Sequence, residues 1–233
     1  MADAVTPAEP PVTVSERVVA RTTGRFHLVP GAPGAPLLVG FHGYGQVAAA
    51  QLRELVQLPD LDGWSLAAVE ALHPFYTRQG EVVRSWMTRE DRESAIADNV
   101  AYVAAVLARV HEIVPFPFWV SCGFSQGAAM AWRAAVGLSA SAPSCRAVIA
   151  LGGDVPPDLD GLSELPVRRA LLGRGAADEW YTPEKLAADR SRLAARGLEP
   201  EVCEFSGGHE WTAQFRERGE PLLALTRLSD WRR

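Results

Sequence analysis

The sequence predicts an α/β fold in which helices cover both faces of a mainly parallel central sheet. Short apolar runs alternate with helical stretches along most of the chain, and parallel strands need such crossover helices between them. The apolar runs lie at 36–41, 64–69, 117–122, 145–151, 167–172 and 200–205. We therefore expect functional loops at the carboxyl ends of these strands.

The flanking patterns complete this prediction. The clearest helix spans about residues 92–114, where apolar residues three and four apart form one stripe. The stripe consists of Ile96, Val100, Val103, Leu107, Val110 and Val114. A Pro-rich stretch predicts a flexible tail over residues 1–12, and alternation in the segment after it predicts an N-terminal strand or hairpin. Residues 13–233 contain no internal repeat or linker and are expected to form a single domain.

The composition is that of an ordinary globular domain, with 48% hydrophobic and 22% charged residues among 233. Such a chain buries roughly 70% of its unfolded surface, so it needs no disulfide or metal for stability. Three widely spaced cysteines, Cys122, Cys145 and Cys203, predict reduced core thiols. The formal charge of −5 with scattered basic residues predicts no nucleic-acid partner. Without a signal peptide or a long apolar stretch, we expect a cytoplasmic protein that does not insert stably into membranes.

The most informative stretch is "GFSQG", which places Ser125 between an apolar run and a run of small helix-forming residues. A sharp strand-turn-helix connection of this kind exposes a serine oxygen above the sheet edge, and its glycines allow the backbones to approach closely. The alternative is an ordinary serine cap at a helix N-terminus. A catalytic serine would also need a histidine base, an acid and oxyanion donors elsewhere in the chain.

Candidates for each partner are present. His209 in "FSGGHEW" is the one histidine downstream of Ser125, and it lies on a loop after a predicted strand. Asp178 in "GAADEWYT" follows another strand and gives the order serine, acid, histidine, which α/β-hydrolases show. Asp154 in "LGGDVPP" is the rival acid, or else a turn aspartate.

The loop "FHGYGQ" supplies the remaining component. Its glycines let the backbone approach a substrate oxygen, so the amides of Tyr44 and of Gln126, the residue after the candidate nucleophile, could form an oxyanion hole. His42 in the same loop is expected to have a structural role.

The motifs "FHGYG", "GFSQG", "GAADEWYTP" and "GGHEW", in this order and spacing, resemble the phospholipase/carboxylesterase family of serine α/β-hydrolases. That resemblance implies an α/β-hydrolase fold with Ser125, Asp178 and His209 as catalytic triad. It also implies that Tyr44 and Gln126 are oxyanion donors. "VVRSWMTRE" resembles the aromatic segment of the family at Trp86, whereas "LGGDVP" and "HPFYTRQG" depart from its pattern.

The expected reaction is two-step acyl transfer, which requires neither cofactor nor metal. No stretch is long enough for a separate cap domain, so an open site for small-molecule esters with short to medium acyl chains is expected. Alternatives are a lysophospholipase or acyl-protein thioesterase acting on long chains, and a non-catalytic binding module. A homodimer is possible. The candidate apolar walls, which could equally be core residues, are Phe75, Tyr76, Trp86 and Trp180.

Overall fold

A computed structural model describes residues 14–140 and 143–227, so the predicted tail at 1–12 lies outside the described residues. Strands and helices alternate along the described chain. The strands are β1 (Phe26–Val29), β2 (Leu37–Phe41), β3 (Ser65–Val69), β4 (His73–Tyr76), β5 (Val82–Ser85), β6 (Trp119–Phe124), β7 (Cys145–Leu151), β8 (Arg169–Gly175) and β9 (Glu201–Phe205). The helices are α1 (Ala48–Leu55), α2 (Arg92–Ile113), α3 (Gln126–Gly137), α4 (Pro183–Ala194) and α5 (Ala213–Arg227), with a 3₁₀ turn at Pro157–Gly161.

Seven strands form the central sheet in the order β1-β3-β2-β6-β7-β8-β9, and β4 and β5 form a separate hairpin. Only β1 runs antiparallel to its neighbour; the other pairs in the sheet are parallel. Phe41 is in register with Gly123, and Leu151 is in register with Gly173. The carboxyl ends of the parallel strands therefore lie along one edge, as predicted.

Helices cover both faces of this sheet, which confirms the predicted architecture. One apolar cluster packs residues of α2, α3 and α4, such as Val103, Trp132 and Leu186, against the strands. The other cluster contains Leu55 of α1 and Phe215 of α5. β2 and β6 are buried along their whole length and are largely apolar, as expected for strands covered on both sides. The polar side chain of Ser121 in β6 is satisfied by donating to the Ala131 oxygen over 2.9 Å.

The predicted N-terminal strand is present only in part. Residues 14–25 contain no strand and are mostly exposed, and pairing begins at Phe26. Alternation alone did not produce a longer strand or hairpin because a strand also needs a partner, and β1 occupies the outer side of β3 only over Phe26–Val29. The hairpin β4–β5 was not predicted.

Helix α2 spans nearly the predicted residues, and most of the predicted stripe faces the core: Val103, Val110 and Val114 are buried, and Val100 and Leu107 pack against the core. Asn99, Val103, Val106 and Val110 are buried. The cost of burying Asn99 is offset because its side-chain Nδ2 donates hydrogen bonds to the backbone oxygens of Trp86 and Ala95 over 2.8 and 2.7 Å. A polar residue therefore holds a core position that the apolar pattern could not indicate.

Two further expectations concern cysteines and membranes. Cys122, Cys145 and Cys203 are buried and free, as predicted. Within residues 14–140 and 143–227, no helix has the length and apolar character that a membrane span requires. The connection from β7 to β8 contains only the 3₁₀ turn, so the described chain has no separate cap domain.

Candidate active site

Ser125 lies in the tight turn between β6 and α3. Its backbone has φ 54° and ψ −120°, a region that non-glycine residues rarely adopt. The flanking glycines are required by space: a Cβ on Gly123 would lie 2.2 Å from the Gly127 oxygen, and one on Gly127 would lie 2.1 Å from the Phe41 oxygen. The serine side chain makes no capping hydrogen bond. Ser125 therefore occupies the N-cap position of α3 without capping the helix through its side chain, and its backbone is strained.

Asp178 and His209 meet across two neighbouring loops, after β8 and β9. His209 Nδ1 lies 2.8 Å from Asp178 Oδ2. The other carboxylate oxygen, Oδ1, accepts hydrogen bonds from the Trp180 and Tyr181 amides, each over 2.9 Å. The Asp178 side chain is 1% exposed and that of His209 is 23% exposed. The carboxylate is thus fixed on both oxygens, while the imidazole remains accessible.

The loop after β7 lies beside both Ser125 and His209. A Cβ on Gly152 would lie 3.0 Å from His209 Cε1, and one on Gly153 would lie 2.2 Å from the backbone carbonyl oxygen of Ser125. The Phe124 ring packs on the imidazole with centroids 4.9 Å apart. The Ser125 hydroxyl has no hydrogen-bond partner among the residues described, so it is not bonded to the imidazole of His209 in this structure.

Asp154 does not take part in this arrangement. Its exposed carboxylate lies 3.5 Å from the ammonium group of Lys185, whereas His209 pairs with Asp178. Of the two acids that the sequence offered, the structure brings only Asp178 to the histidine.

The loop after β2 places Tyr44 next to the nucleophile turn. A Cβ on Gly43 would lie 3.2 Å from the Ser125 Cβ, so the two turns are in contact. Neither the backbone N–H of Tyr44 nor the backbone N–H of Gln126 donates a hydrogen bond to a residue in the described part of the chain. Both N–H groups are therefore available as hydrogen-bond donors beside the strained serine.

His42 fixes the orientation of this loop. Its Nδ1 donates to the Gly43 carbonyl over 2.8 Å, and its Nε2 accepts from the Ala71 amide over 3.1 Å. The Gly43 carbonyl and the Tyr44 N–H belong to one trans peptide unit and point in opposite directions. The imidazole therefore also sets the direction of the Tyr44 N–H. Burial lowers the pKa of His42, which favours the neutral form that the hydrogen bond accepted by Nε2 requires.

The Gln126 side chain joins the nucleophile turn to the segment after β5. Its Oε1 accepts from the Trp86 amide and its Nε2 donates to the Met87 oxygen, each over 2.9 Å. The hairpin is also bonded to the loop after β2, because the Gly45 amide donates to the Arg84 oxygen over 2.9 Å. These contacts place β4–β5 beside the loop after β2.

The predicted aromatic walls lie in different surroundings. Trp86 is 0% exposed, and its indole N–H donates to the His42 oxygen over 2.8 Å. An indole without accessible surface cannot line an open site, so the prediction for Trp86 is corrected: its side chain is a core residue bonded to the loop after β2. Phe75 stacks on the exposed Tyr44 ring at a centroid distance of 5.1 Å. Tyr76 and Trp180 are exposed.

Sequence reasoning missed Gly152 and the Gln126 side chain. The glycine pair in "LGG" directly after a strand was the available signal, since glycine at such a position often marks a close backbone approach. The Gln126 contacts had no local signal, because their partners lie about forty residues away in the chain.

The sheet order and the strained serine after its central strand define the class of protein as a serine hydrolase with the α/β-hydrolase fold. The model of the family described as "Serine hydrolase (FSH1)" matches residues 38–211. The chain therefore belongs to the FSH1 serine hydrolase family. No curated protein matches the chain in sequence.

Solved structures share this fold. Esterase PE8 has a TM-score of 0.68 and 20% identity, covering 88% of this chain and 99% of its own. Zea mays acyl-protein thioesterase 2 has a TM-score of 0.64 and 20% identity, with the same two coverages of 88% and 99%. The Bacillus cereus carboxylesterase has a TM-score of 0.66 and 14% identity, covering 87% of this chain and 94% of its own. At these identities the likeness concerns the fold, and it agrees with the resemblance found from the motifs.

Proposed function

We propose that the protein hydrolyses carboxylic esters through a triad of Ser125, His209 and Asp178. The observation that carries this proposal is the 2.8 Å contact between His209 Nδ1 and Asp178 Oδ2, on loops adjacent to the strained Ser125. Asp178 holds the imidazole in the tautomer whose Nε2 is free to accept a proton. The bonds from the Trp180 and Tyr181 amides to Oδ1 keep that carboxylate in place.

In the first step the Ser125 oxygen attacks the ester carbonyl, and its proton passes to His209 Nε2. The carbonyl oxygen becomes an oxyanion, to which the Tyr44 and Gln126 amides donate. Collapse of the tetrahedral intermediate breaks the ester bond. The imidazolium returns its proton to the departing alcohol, leaving an acyl group on Ser125.

In the second step water replaces the alcohol. His209 takes one proton from the water while the water oxygen attacks the acyl carbonyl. The imidazolium then gives that proton to the Ser125 hydroxyl oxygen as the acid departs. The sum is ester plus water giving acid plus alcohol, and no cofactor enters the balance. A thioester could react at the same groups, since a departing thiol can take its proton from the same His209 imidazolium as a departing alcohol.

The substrate class follows from the absence of a cap in the described chain. An open site favours small-molecule esters with short to medium acyl chains, for which the exposed surfaces of Tyr44, Phe75, Tyr76 and Trp180 offer apolar contact. The proposal treats residues 13–233 as one catalytic domain in the cytoplasm. Homodimerisation is not needed, since the proposed groups all come from one chain.

The decisive test is Ser125→Ala, assayed with p-nitrophenyl butyrate and by fluorophosphonate labelling. Loss of the nucleophile should lower kcat by orders of magnitude, to below about one percent of wild type, and abolish labelling. Ser94→Ala, at an exposed position of α2, is the matched control and should behave as wild type. Turnover retained by folded Ser125→Ala would overturn the proposal. Wild-type protein that neither labels nor hydrolyses esters or thioesters would favour a binding module.

A further inference from the structure

Asp189 of α4 is a buried carboxylate that the proposed reaction does not use. It is 2% exposed, and it binds three separate groups. Oδ2 accepts from the Val155 amide over 2.8 Å and from the Tyr181 hydroxyl over 3.0 Å, while Oδ1 accepts from Arg192 Nη1 over 2.7 Å. Burying a carboxylate is costly unless its oxygens are satisfied.

Tyr181 connects Asp189 to the proposed catalytic acid. It is 1% exposed, and each of its polar atoms is bonded. Its amide donates to Asp178 Oδ1 over 2.9 Å, and its carbonyl accepts from Arg174 Nε over 3.0 Å. Burial and the neighbouring Asp189 carboxylate raise the pKa of Tyr181, which keeps its hydroxyl protonated as a donor. Tyr181 therefore bridges the two carboxylates: its hydroxyl donates to Asp189 and its backbone amide donates to Asp178.

Val155 connects Asp189 to the opposite side of the site. It belongs to the loop after β7, two residues beyond Gly153. The backbone at Gly152 packs against His209, and the backbone at Gly153 packs against the backbone carbonyl oxygen of Ser125. The single carboxylate of Asp189 thus bonds the loop that carries the acid and the loop that supports the base.

We propose that Asp189 is a positioning residue for the Asp178–His209 pair, acting through Tyr181 on one loop and Val155 on the other. This inference rests on the proposed triad. A simple structural ion pair does not account for the arrangement, because Arg192 also binds Asp160, through Nε over 2.9 Å. Asp160 shares the contact of Asp189 with Arg192, but it makes no bond to Tyr181 or Val155 and cannot replace Asp189 there.

The test compares Asp189→Asn and Tyr181→Phe with Asp160→Asn. Asp160→Asn is the matched control because it removes a carboxylate from the same arginine and leaves the bonds of Asp189 to Val155 and Tyr181 in place. Misplacing catalytic groups by about 1 Å costs on the order of 100-fold in rate. We expect kcat for p-nitrophenyl butyrate to fall about 10- to 100-fold in the first two variants, with KM within about twofold of wild type. Asp160→Asn should keep the wild-type kcat.

A double-mutant cycle separates positioning from general damage to the fold. If Asp189 acts through Asp178, then adding Asp189→Asn to Asp178→Asn should lower kcat by less than about threefold more. A loss from Asp189→Asn that is as large in the Asp178→Asn background, or equally large in Asp160→Asn, overturns the positioning role and leaves the triad standing. Full activity of Asp178→Asn overturns the triad and this inference with it. If Asp189→Asn does not fold, Tyr181→Phe in the same cycle gives the decision.

Discussion

Gly152 packs directly against the imidazole of His209: a Cβ at this position would lie 3.0 Å from Cε1 and 3.1 Å from Nδ1. The same residue has φ 64°, which side chains with a Cβ adopt at a cost. Glycine is therefore required here both by its backbone conformation and by the space that the imidazole occupies. The first requirement concerns stability, and the second concerns the reaction.

Gly152→Ala should therefore lower activity, and Gly34→Ala should separate the two effects. Gly34 has a similar φ of 74°, but a Cβ there has no heavy atom within 4 Å. Both variants should lose about 1 kcal/mol in the free energy of unfolding. Only Gly152→Ala should lower kcat, by about tenfold or more, since it displaces His209. Urea denaturation and ester assays on both proteins check this. Equal activities would show that the imidazole tolerates the methyl group.

Asp178→Asn should lower kcat by up to about four orders of magnitude with little change in KM, because the amide no longer favours the catalytic tautomer of His209. Asp154→Asn is the control from the rival loop. Its carboxylate contacts Lys185 at the surface, so kcat should remain within about twofold of wild type. Steady-state kinetics on both variants decide between the two acids. A greater loss in Asp154→Asn would reverse the assignment.

The pH dependence of stability should include a contribution from His42. Burial lowers its pKa in the folded protein below the ordinary value of 6.5. Below about pH 6.5 the unfolded chain binds a proton that the folded chain resists, so stability falls with falling pH until the folded pKa is reached. The slope from one such group is at most about 1.4 kcal/mol per pH unit.

Urea denaturation of wild type and His42→Asn between pH 5 and 7.5 measures this contribution. The stability difference between the two proteins should be constant above about pH 6.5 and should shrink below it, because the variant lacks the proton-sensitive group. Parallel curves over the whole range would show that His42 does not resist protonation in the folded state.

The acyl-chain profile should rise from acetyl esters and reach a plateau or fall beyond medium chains. Each buried methylene contributes up to about 0.8 kcal/mol, or about fourfold in kcat/KM, until the chain emerges into solvent. Since Trp86 is buried, Phe75, which stacks on Tyr44, is the better candidate for the wall. Phe75→Ala should flatten the rising part of the profile and leave acetate hydrolysis largely intact.

The matched control for that profile is Ile113→Ala, an exposed apolar residue at the end of α2. It should reproduce the wild-type dependence on chain length in assays of p-nitrophenyl esters from acetyl to palmitoyl. A steady increase through palmitoyl would instead indicate a deep acyl tunnel and a long-chain lysophospholipase or thioesterase.

The outcome for particular residues shows where sequence reasoning reached its limit. The strand runs and the glycines around Ser125 predicted the sheet and the nucleophile turn, because steric limits on a tight turn act between residues close in the chain. Trp86 was misplaced because an aromatic residue in a loop has the same local pattern whether it faces substrate or core. Nothing near Trp86 in the sequence indicates its hydrogen bond to His42.

The sequence by itself determined the alternation of strands and helices, the strained serine and the order in which the proposed catalytic residues occur. These properties depend on local periodicity and backbone conformation. Only the tertiary structure decided that His209 pairs with Asp178 and not with Asp154, and that Asp189 bonds the loop after β7 and the loop after β8. The His209–Asp178 and Val155–Asp189 contacts join residues 31 and 34 positions apart. Their geometry is set by the register of parallel strands and by burial in the shared core, which no local pattern encodes.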